Sequence, residues 1–382
     1  MQTWHTIRPA GSGWQDVPLT PFGRASERRE HIELQLTVAV TRIILLRKQA
    51  PSQFFCRIAT FVLVACAMQT WQPAIAQPLH DGDNGPLAGL FGWPVSTEGS
   101  RLTAAGTNAW GLFASVSSHS VQEMRGAESL LLDGETRRLK IDYRRGFTDR
   151  FELGAEIAWV WHESGSLDSL ISGWHDLFGL PQGNRDDAPD DQLLFHYIAP
   201  GSDPLELARN VNGIGDIRIG AAWLLQRNPG SSVALRAGIK LPTGDSAVLL
   251  GSGGTDLTLG LVGDVSRLWN IDSLQGHYRL HAIRLGRSDV LRNRTRRMVG
   301  QLSGGLGYRL SSKLEIMAQS TLRSASFDAE VAPLGDWSMS LTFGAIFETD
   351  RGLRVSLGVS EDIRVESTPD VTFLLGLSWQ AH

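Results

Sequence analysis

The feature that most constrains this chain is a two-residue alternation of apolar and polar side chains, repeated in runs of about ten residues. Phe151, Leu153, Ala155, Ile157, Trp159 and Trp161 share one parity, with Glu152, Gly154, Glu156 and Ala158 between them. Val233, Leu235, Ala237, Ile239 and Leu241 alternate with Ala234, Arg236, Gly238 and Lys240. Trp337, Met339, Leu341, Phe343, Ala345 and Phe347 alternate with Ser338, Ser340, Thr342, Gly344 and Glu348, and Val371, Phe373, Leu375, Leu377 and Trp379 with Thr372, Leu374, Gly376 and Ser378. Neighbouring side chains of a strand point to opposite faces, so each run is a strand with one apolar and one polar side. Each is near the roughly 9 to 11 residues that cross a bilayer at a tilt. Less regular runs at 107–118, 138–145, 216–226, 256–268, 276–285, 298–310, 314–323 and 353–361 bring the expected total to about twelve strands.

The connections sort by parity. Gly146 to Asp149, Arg227 to Ser232, Ser311 to Lys313 and Thr349 to Gly352 are short and rich in turn residues. They alternate with longer segments at 119–137, 162–215, 242–255, 286–297, 324–336 and 362–370. Short turns at one rim and long loops at the other is the plan of an up-and-down transmembrane barrel, and a soluble sandwich has no reason to sort its loops this way. The aromatics fit two girdles. Tyr143, Phe151, Trp223, Tyr278, Tyr308, Phe347 and Trp379 stand beside short turns; Trp161, Trp337 and Phe373 stand beside long loops. Trp379 would be the terminal aromatic read by the barrel-assembly machinery, although Gln380-Ala381-His382 follows it.

Composition removes other classes. With 36 basic and 40 acidic residues and a net charge of −4, nothing points to a nucleic-acid partner. Mean hydropathy is −0.10, and no stretch has the roughly 18 apolar residues of a spanning helix. The 41 glycines and 12 tryptophans suit a chain of many turns and alternating strands.

The N-terminal part reads as an export leader. Arg47, Lys48 and Arg57 precede the apolar run Ile58 to Met68, and Ala74-Ile75-Ala76 supplies a small-x-small site, which places cleavage after Ala76. Leu63-Val64-Ala65-Cys66 also resembles a lipobox, leaving lipidation of Cys66 as an open alternative. Both cysteines, Cys56 and Cys66, precede the cleavage point, so a mature chain would carry no thiol, as suits an oxidising compartment. Residues 1–46 read as a mis-called, disordered extension, with translation starting near Leu45 or Leu46. Residues 47–76 are then the signal, 77–106 a periplasmic lead-in, and 107–382 the barrel.

The polar parity names the lumen: Arg138, Lys140, Asp142, Arg144, Glu152, Glu156, Arg218, Arg236, Lys240, Glu315, Gln319, Arg323 and Arg354. A turn at Gly146–Asp149 would set Arg144 opposite Glu152 and Lys140 opposite Glu156. These charges read either as a structural network or as a basic lining that selects anions. The 162–215 segment is far longer than the usual limit of about 12 to 15 residues for a passive loop. Leu167, Leu170, Ile171, Trp174, Leu177 and Phe178 recur at helical spacing there, ended by Gly179 and Pro181. Trp174, His175, Asp176, Phe178 and Arg185 are therefore gate candidates. Asp186, Asp187, Asp190 and Asp191 lack EF-hand spacing, and a solvated acidic loop is the plainer reading. His162, Ser164, Ser166 and His175 lack a nucleophile-elbow pattern, which makes catalysis a minor expectation; no catalytic, metal or cofactor residue is expected.

Several motifs resemble an uncharacterised family of Gram-negative outer-membrane barrels, catalogued as domain of unknown function thirty-one eighty-seven. They are Leu132-Asp133-Gly134-Glu135, Trp174 to Pro181, Lys240-Leu241-Pro242-Thr243-Gly244-Asp245, Gly251 to Asp256 and Ser360-Glu361-Asp362. The likeness runs from about Gly85 to Trp379. Gly213-Ile214-Gly215-Asp216 with the Lys240–Asp245 stretch is also similar to barrels named for a phenol-degradation pathway and grouped with transporters. The resemblance implies an outer-membrane barrel and brings no catalytic residue or cofactor. The expectation is an all-β, antiparallel up-and-down transmembrane barrel with one long, helix-containing loop. It would contact outer-membrane lipid and lipopolysaccharide and pass or bind small solutes; the alternatives are a lipid-modifying enzyme or a structural envelope barrel.

Overall fold

The computed structural model describes residues 78–80, 85–94, 99–165, 192–363 and 371–381, all within the compact unit Ala67–His382. The expected extension (1–46), the signal with its site at Ala76, and the gate candidates Trp174, His175, Asp176, Phe178 and Arg185 lie outside the described residues, as does the expected loop helix. Among the described residues no helix is long and apolar enough to cross a membrane; the only α-helix there is the single turn α1 (Ala332–Gly335).

Among the described residues fifteen strands form in chain order. The first group is β1 (Asn108–Arg125), β2 (Glu128–Thr148), β3 (Phe151–Glu163), β4 (Leu194–Ile198), β5 (Leu205–Leu207) and β6 (Val211–Ile214). It is followed by β7 (Ile217–Asn228), β8 (Ser231–Leu241), β9 (Asp256–Ser266), β10 (Leu274–Arg284) and β11 (Met298–Arg309). The last are β12 (Leu314–Arg323), β13 (Ser338–Glu348), β14 (Arg354–Asp362) and β15 (Val371–Ala381). Twelve of them, all but β4, β5 and β6, pair antiparallel with sequence neighbours, and β1 pairs with both β2 and β15, so the ring closes. Closure leaves no edge with unpaired N–H and C=O groups, which is what lets a sheet stand in hydrocarbon.

Each of the twelve expected runs falls on one ring strand. The outward parity is apolar and exposed, as at Leu257, Leu259, Leu261, Leu280, Leu302, Leu306, Phe343 and Leu357. The inward parity is buried and mostly polar. Around the short-turn rim, Trp110 packs on Tyr143, Arg145 lies over Phe147, the rings of Phe147, Phe151 and Trp223 contact in turn, and Tyr278, Tyr308 and Trp379 continue the exposed band. Trp159, Trp161 and Trp337 mark the other side.

Two local expectations are corrected. Residues 119–137 are not a loop. β1 and β2 run on as one ladder to a tight turn at Gly126, whose φ of +58° is natural for glycine. Residues 119–125 pair with β2 alone, so this hairpin stands above the ring. The β2–β3 register is also shifted by two. Arg144 faces Gly154, Gly146 faces Glu152, Asp142 faces Glu156 and Lys140 faces Ala158. A bulge between Gly146 and Thr148 lets β2 run on to Thr148, leaving Asp149 and Arg150 as the turn.

Within 192–215, β4 joins the raised part of β2, β5 joins β4, and β6 joins the top of β3. Over this rim lies an apolar core from many segments, including Leu130, Leu132, Phe195, Tyr197, Leu207, Ile283, Leu291, Phe327, Val331 and Leu334. The long loops therefore pack into a cap, because stacked apolar groups leave water together. Leu87, Leu90, Phe91 and Trp93 belong to the same core, so the segment expected as a lead-in contributes to the barrel's interior packing. Leu79 lies further down, against the inward-facing Met317 and Ile346.

Candidate functional site

All thirteen lumen candidates stand on the inward parity of ring strands, Asp142 on β2, Gln319 on β12 and Arg354 on β14 among them. Arg138, Lys140 and Arg144 are on β2, Glu152 and Glu156 on β3, Arg218 on β7, Arg236 and Lys240 on β8, and Glu315 and Arg323 on β12. Several of them meet opposite charges or polar partners along and across the strands. Arg144 lies 3.0 Å from Asp142, Arg218 donates to Glu156 at 2.8 Å, and Arg236 lies 3.1 Å from Glu152. Arg323 donates to Gln301 at 3.3 Å and lies over the Trp93 ring. Arg354 stands 3.6 Å from Glu348, and Gln319 pairs with His277 at 3.1 Å. A buried charge is costly unless a counter-charge offsets it, and the ion pairs among these contacts supply one.

The same side chains hold the N-terminal segment. A chain crossing a lumen brings backbone donors and acceptors that need partners. Asp256 accepts from the Gly92 N–H at 2.8 Å, and Thr258 donates to the Gly92 carbonyl at 2.6 Å. Arg218 donates to the Phe91 carbonyl, and Arg236 to the Gly99 carbonyl through two nitrogens at 3.0 and 2.7 Å. Asp264 accepts from the Ser100 N–H at 2.6 Å, and Glu152 from the Thr103 N–H at 2.6 Å. Gly92 is needed here: a Cβ would sit 2.8 Å from the Asp256 Cβ. The segment is thus a plug in contact with β3, β7, β8 and β9.

Three motifs that carried the resemblance converge on one buried cluster at the capped end. Lys240 donates to Asp216, to Ser252 Oγ at 2.7 Å and to the Gly254 carbonyl at 2.9 Å, with Asp256 at 3.6 Å. Asp216 also accepts from the N–H of Gly244 at 2.8 Å and of Ser252 at 3.1 Å. Asp256 accepts from the Gly286 N–H at 2.8 Å. The cluster ties the 242–255 loop and the start of the next long loop to the wall.

His162, considered above as part of a catalytic set, is a packing residue. Its ring joins Thr136 at 3.0 Å and the Leu249 carbonyl at 3.0 Å and meets Phe195 edge-on. Ser166 and His175 lie outside the described residues. Above the ring, Glu128 joins three loops. It pairs with Arg294 and accepts from the Glu330 N–H at 2.8 Å, the Val331 N–H at 3.4 Å and the Tyr197 hydroxyl at 3.1 Å. Burial alone would raise the Glu128 pKa, but the two backbone N–H groups, Tyr197 and Arg294 together hold it below the usual carboxylate range. Burial, then the Glu128 charge, pushes the Tyr197 hydroxyl up to about 12.

Sequence reasoning missed much of the interior. Asp216, Asp256, Asp264, His277, Arg279, His281 and Gln301 are all buried inside. The β10 signal was present, since Gln275, His277, Arg279 and His281 share one parity. Asp216 and Asp256 sit at strand starts, where alternation gives no parity to count. Arg279 donates to Ser303 Oγ at 3.1 Å. Below Trp93, between β2, β3, β7 and β8, a recess opens onto Glu156, Arg218, Gly220, Gly238 and His281.

The described residues hold no group of three or more metal-ligating side chains. No curated protein matches the chain. Among solved structures, it is similar to the COG4313 outer membrane channel of Pseudomonas putida F1, at 12% identity and a TM-score of 0.48, over 74% of this chain and 97% of that one. It is similar to the toluene transporter TbuX of Ralstonia pickettii at 13% identity and a TM-score of 0.37, over 79% and 98%. The KdgM porin gives 11% and 0.38, over 72% and 99%. At these values nothing of their activity transfers. The profile of the family described as Protein of unknown function (DUF3187) matches residues 55–381, which runs through the plug, every ring strand and the motifs gathered at Lys240 and Asp216. The chain belongs to the DUF3187 family.

Proposed function

We propose that the chain is an outer-membrane barrel of a Gram-negative envelope that passes or binds small solutes, and that its N-terminal segment and loop cap hold it shut. The observation that carries this reading is the closed twelve-strand wall, apolar outside and polar within. Its orientation follows from loop length: short turns and termini toward the periplasm, the cap outward. Lipopolysaccharide and the assembly machinery are then its partners in the envelope.

The test is planar-bilayer conductance of the full barrel and of a variant lacking residues 85–103, both checked for slower gel migration after boiling. The full protein should be nearly silent, and the deletion should give unitary current steps. A folded deletion variant without current would overturn the transport reading. The second reading, a structural envelope barrel, is favoured by the pairing of the lumen charges and by the packed cap. That silent deletion is its expected result.

A further inference from the structure

The register of the plug-side wall places a row of missing side chains between two rows of charge. Gly154 on β3, Gly220 on β7 and Gly238 on β8 face one another in sequence, and Gly238 faces Thr258 on β9. One inward step toward the cap the row reads Glu156, Arg218, Lys240, Asp256; one step the other way it reads Glu152, Ala222, Arg236, Gly260. The glycine row lines the recess beneath Trp93. Not every glycine there is required by crowding. A Cβ at Gly154 would meet Arg144 Cγ at 2.8 Å, but one at Gly238 would find its nearest neighbours at 3.6 and 3.8 Å, ordinary contact. Gly238 keeps space open that the packing does not need.

The recess also presents buried polar atoms without a hydrogen-bond partner among the described residues. His281, 2% exposed, lies across Gly260, and neither ring nitrogen is hydrogen-bonded. Glu156 Oε2 and Arg218 Nε are likewise unpartnered, although their other atoms pair with each other. Buried groups of this kind are costly unless something satisfies them. Their signs matter too. The cations here are matched by carboxylates, Arg144 by Asp142, Arg218 by Glu156 and Arg236 by Glu152. What remains is therefore hydrogen-bonding capacity of both kinds with little net charge: guanidinium N–H donors, carboxylate lone pairs and an imidazole that gives one and takes one.

From this we infer that the recess is a binding site for a small neutral polyol. Hydroxyl groups both donate and accept, so one solute can satisfy Glu156, Arg218 and His281 together without disturbing the ion pairs. An anion or cation of the same size would have to compete with a pair already made. The inference rests on the solute-binding reading above and assigns that reading its chemistry.

The test uses the full-length purified barrel and saturation-transfer NMR with matched probes. These are glycerol and D-glucose (neutral), D-glycerate and D-glucuronate (anionic), and serinol and D-glucosamine (cationic at neutral pH). Saturable binding of a neutral probe, at least ten-fold tighter than that of its charged partners, is the expected result. Gly238→Leu should abolish it by filling the recess, while the boiling-dependent gel shift persists; Gly238→Ala, a milder filling, gives an intermediate loss if the leucine variant fails to fold. Preference for a charged probe, binding unchanged in both variants, or no binding of any probe would overturn the proposal. Conductance of the 85–103 deletion decides the transport reading separately, so a working pore with no polyol binding sinks only the site.

Discussion

At the scale of single residues, Lys240 is the side chain on which most depends. Its side chain is 1% exposed, and Asp216 and Asp256 are its counter-charges. Lys240→Met keeps the volume and removes the charge, leaving two carboxylates buried without their cation. Losing one partner of a buried pair costs about 3 to 5 kcal/mol. The folded form, followed by gel migration over a temperature ramp, should be lost at a markedly lower temperature in this variant. Adding Asp216→Asn should restore part of the loss, since the two changes touch one network; a double variant no more stable than Lys240→Met would show that the carboxylate is not what the lysine serves. Lys240 was legible from the alternation of β8. Its partners were not, because they come from a loop end and a strand start brought near by closure of the ring.

At the scale of elements, the raised β1–β2 hairpin is held by Glu128, which reaches Arg294, Tyr197 and the N–H groups of Glu330 and Val331. A carboxyl whose folded pKa is lowered contributes stability above its unfolded pKa and loses it as pH falls through the folded value. The cap should therefore be tight at neutral pH and loosen in acid, below the ordinary carboxylate range. Hydrogen exchange of 192–210 and 324–337, corrected for intrinsic pH dependence, measures this. Glu128→Gln should show the acid-state exchange already at pH 7, and an unchanged exchange pattern there would remove the latch. This joint was invisible in sequence, since 119–137 reads as a polar loop when its partners are unknown. Conversely, Met317 and Ile346 broke the polar parity for a reason found only in the fold: Leu79 of the plug packs on them.

At the scale of the molecule, the two faces of the sheet should respond oppositely to charge. Leu259 is exposed on the outward parity near the middle of β9, with Thr258 turned inward beside it. Leu259→Arg places a guanidinium in hydrocarbon and should destabilise the barrel by about 2 to 4 kcal/mol, as at a bilayer midplane. Urea titration of the folded protein in lipid vesicles gives the comparison. A loss below about 1 kcal/mol would contradict a lipid-facing wall at that position.

The sequence by itself determined the wall: how many strands, which side chains face in, and which rim carries the long loops. These follow from a local two-residue period and from loop length, and both survive any change of distant contacts. Only the tertiary structure decided what fills the wall. The shifted β2–β3 register turned on how far β2 runs before its turn and on the bulge between Gly146 and Thr148. The plug and the cap core join residues more than a hundred positions apart, such as Gly92 with Asp256, and the Lys240 cluster joins two separate loops to the wall. Such pairings leave no period in the chain, because they are chosen by which buried donor finds which buried acceptor once the sheet has closed.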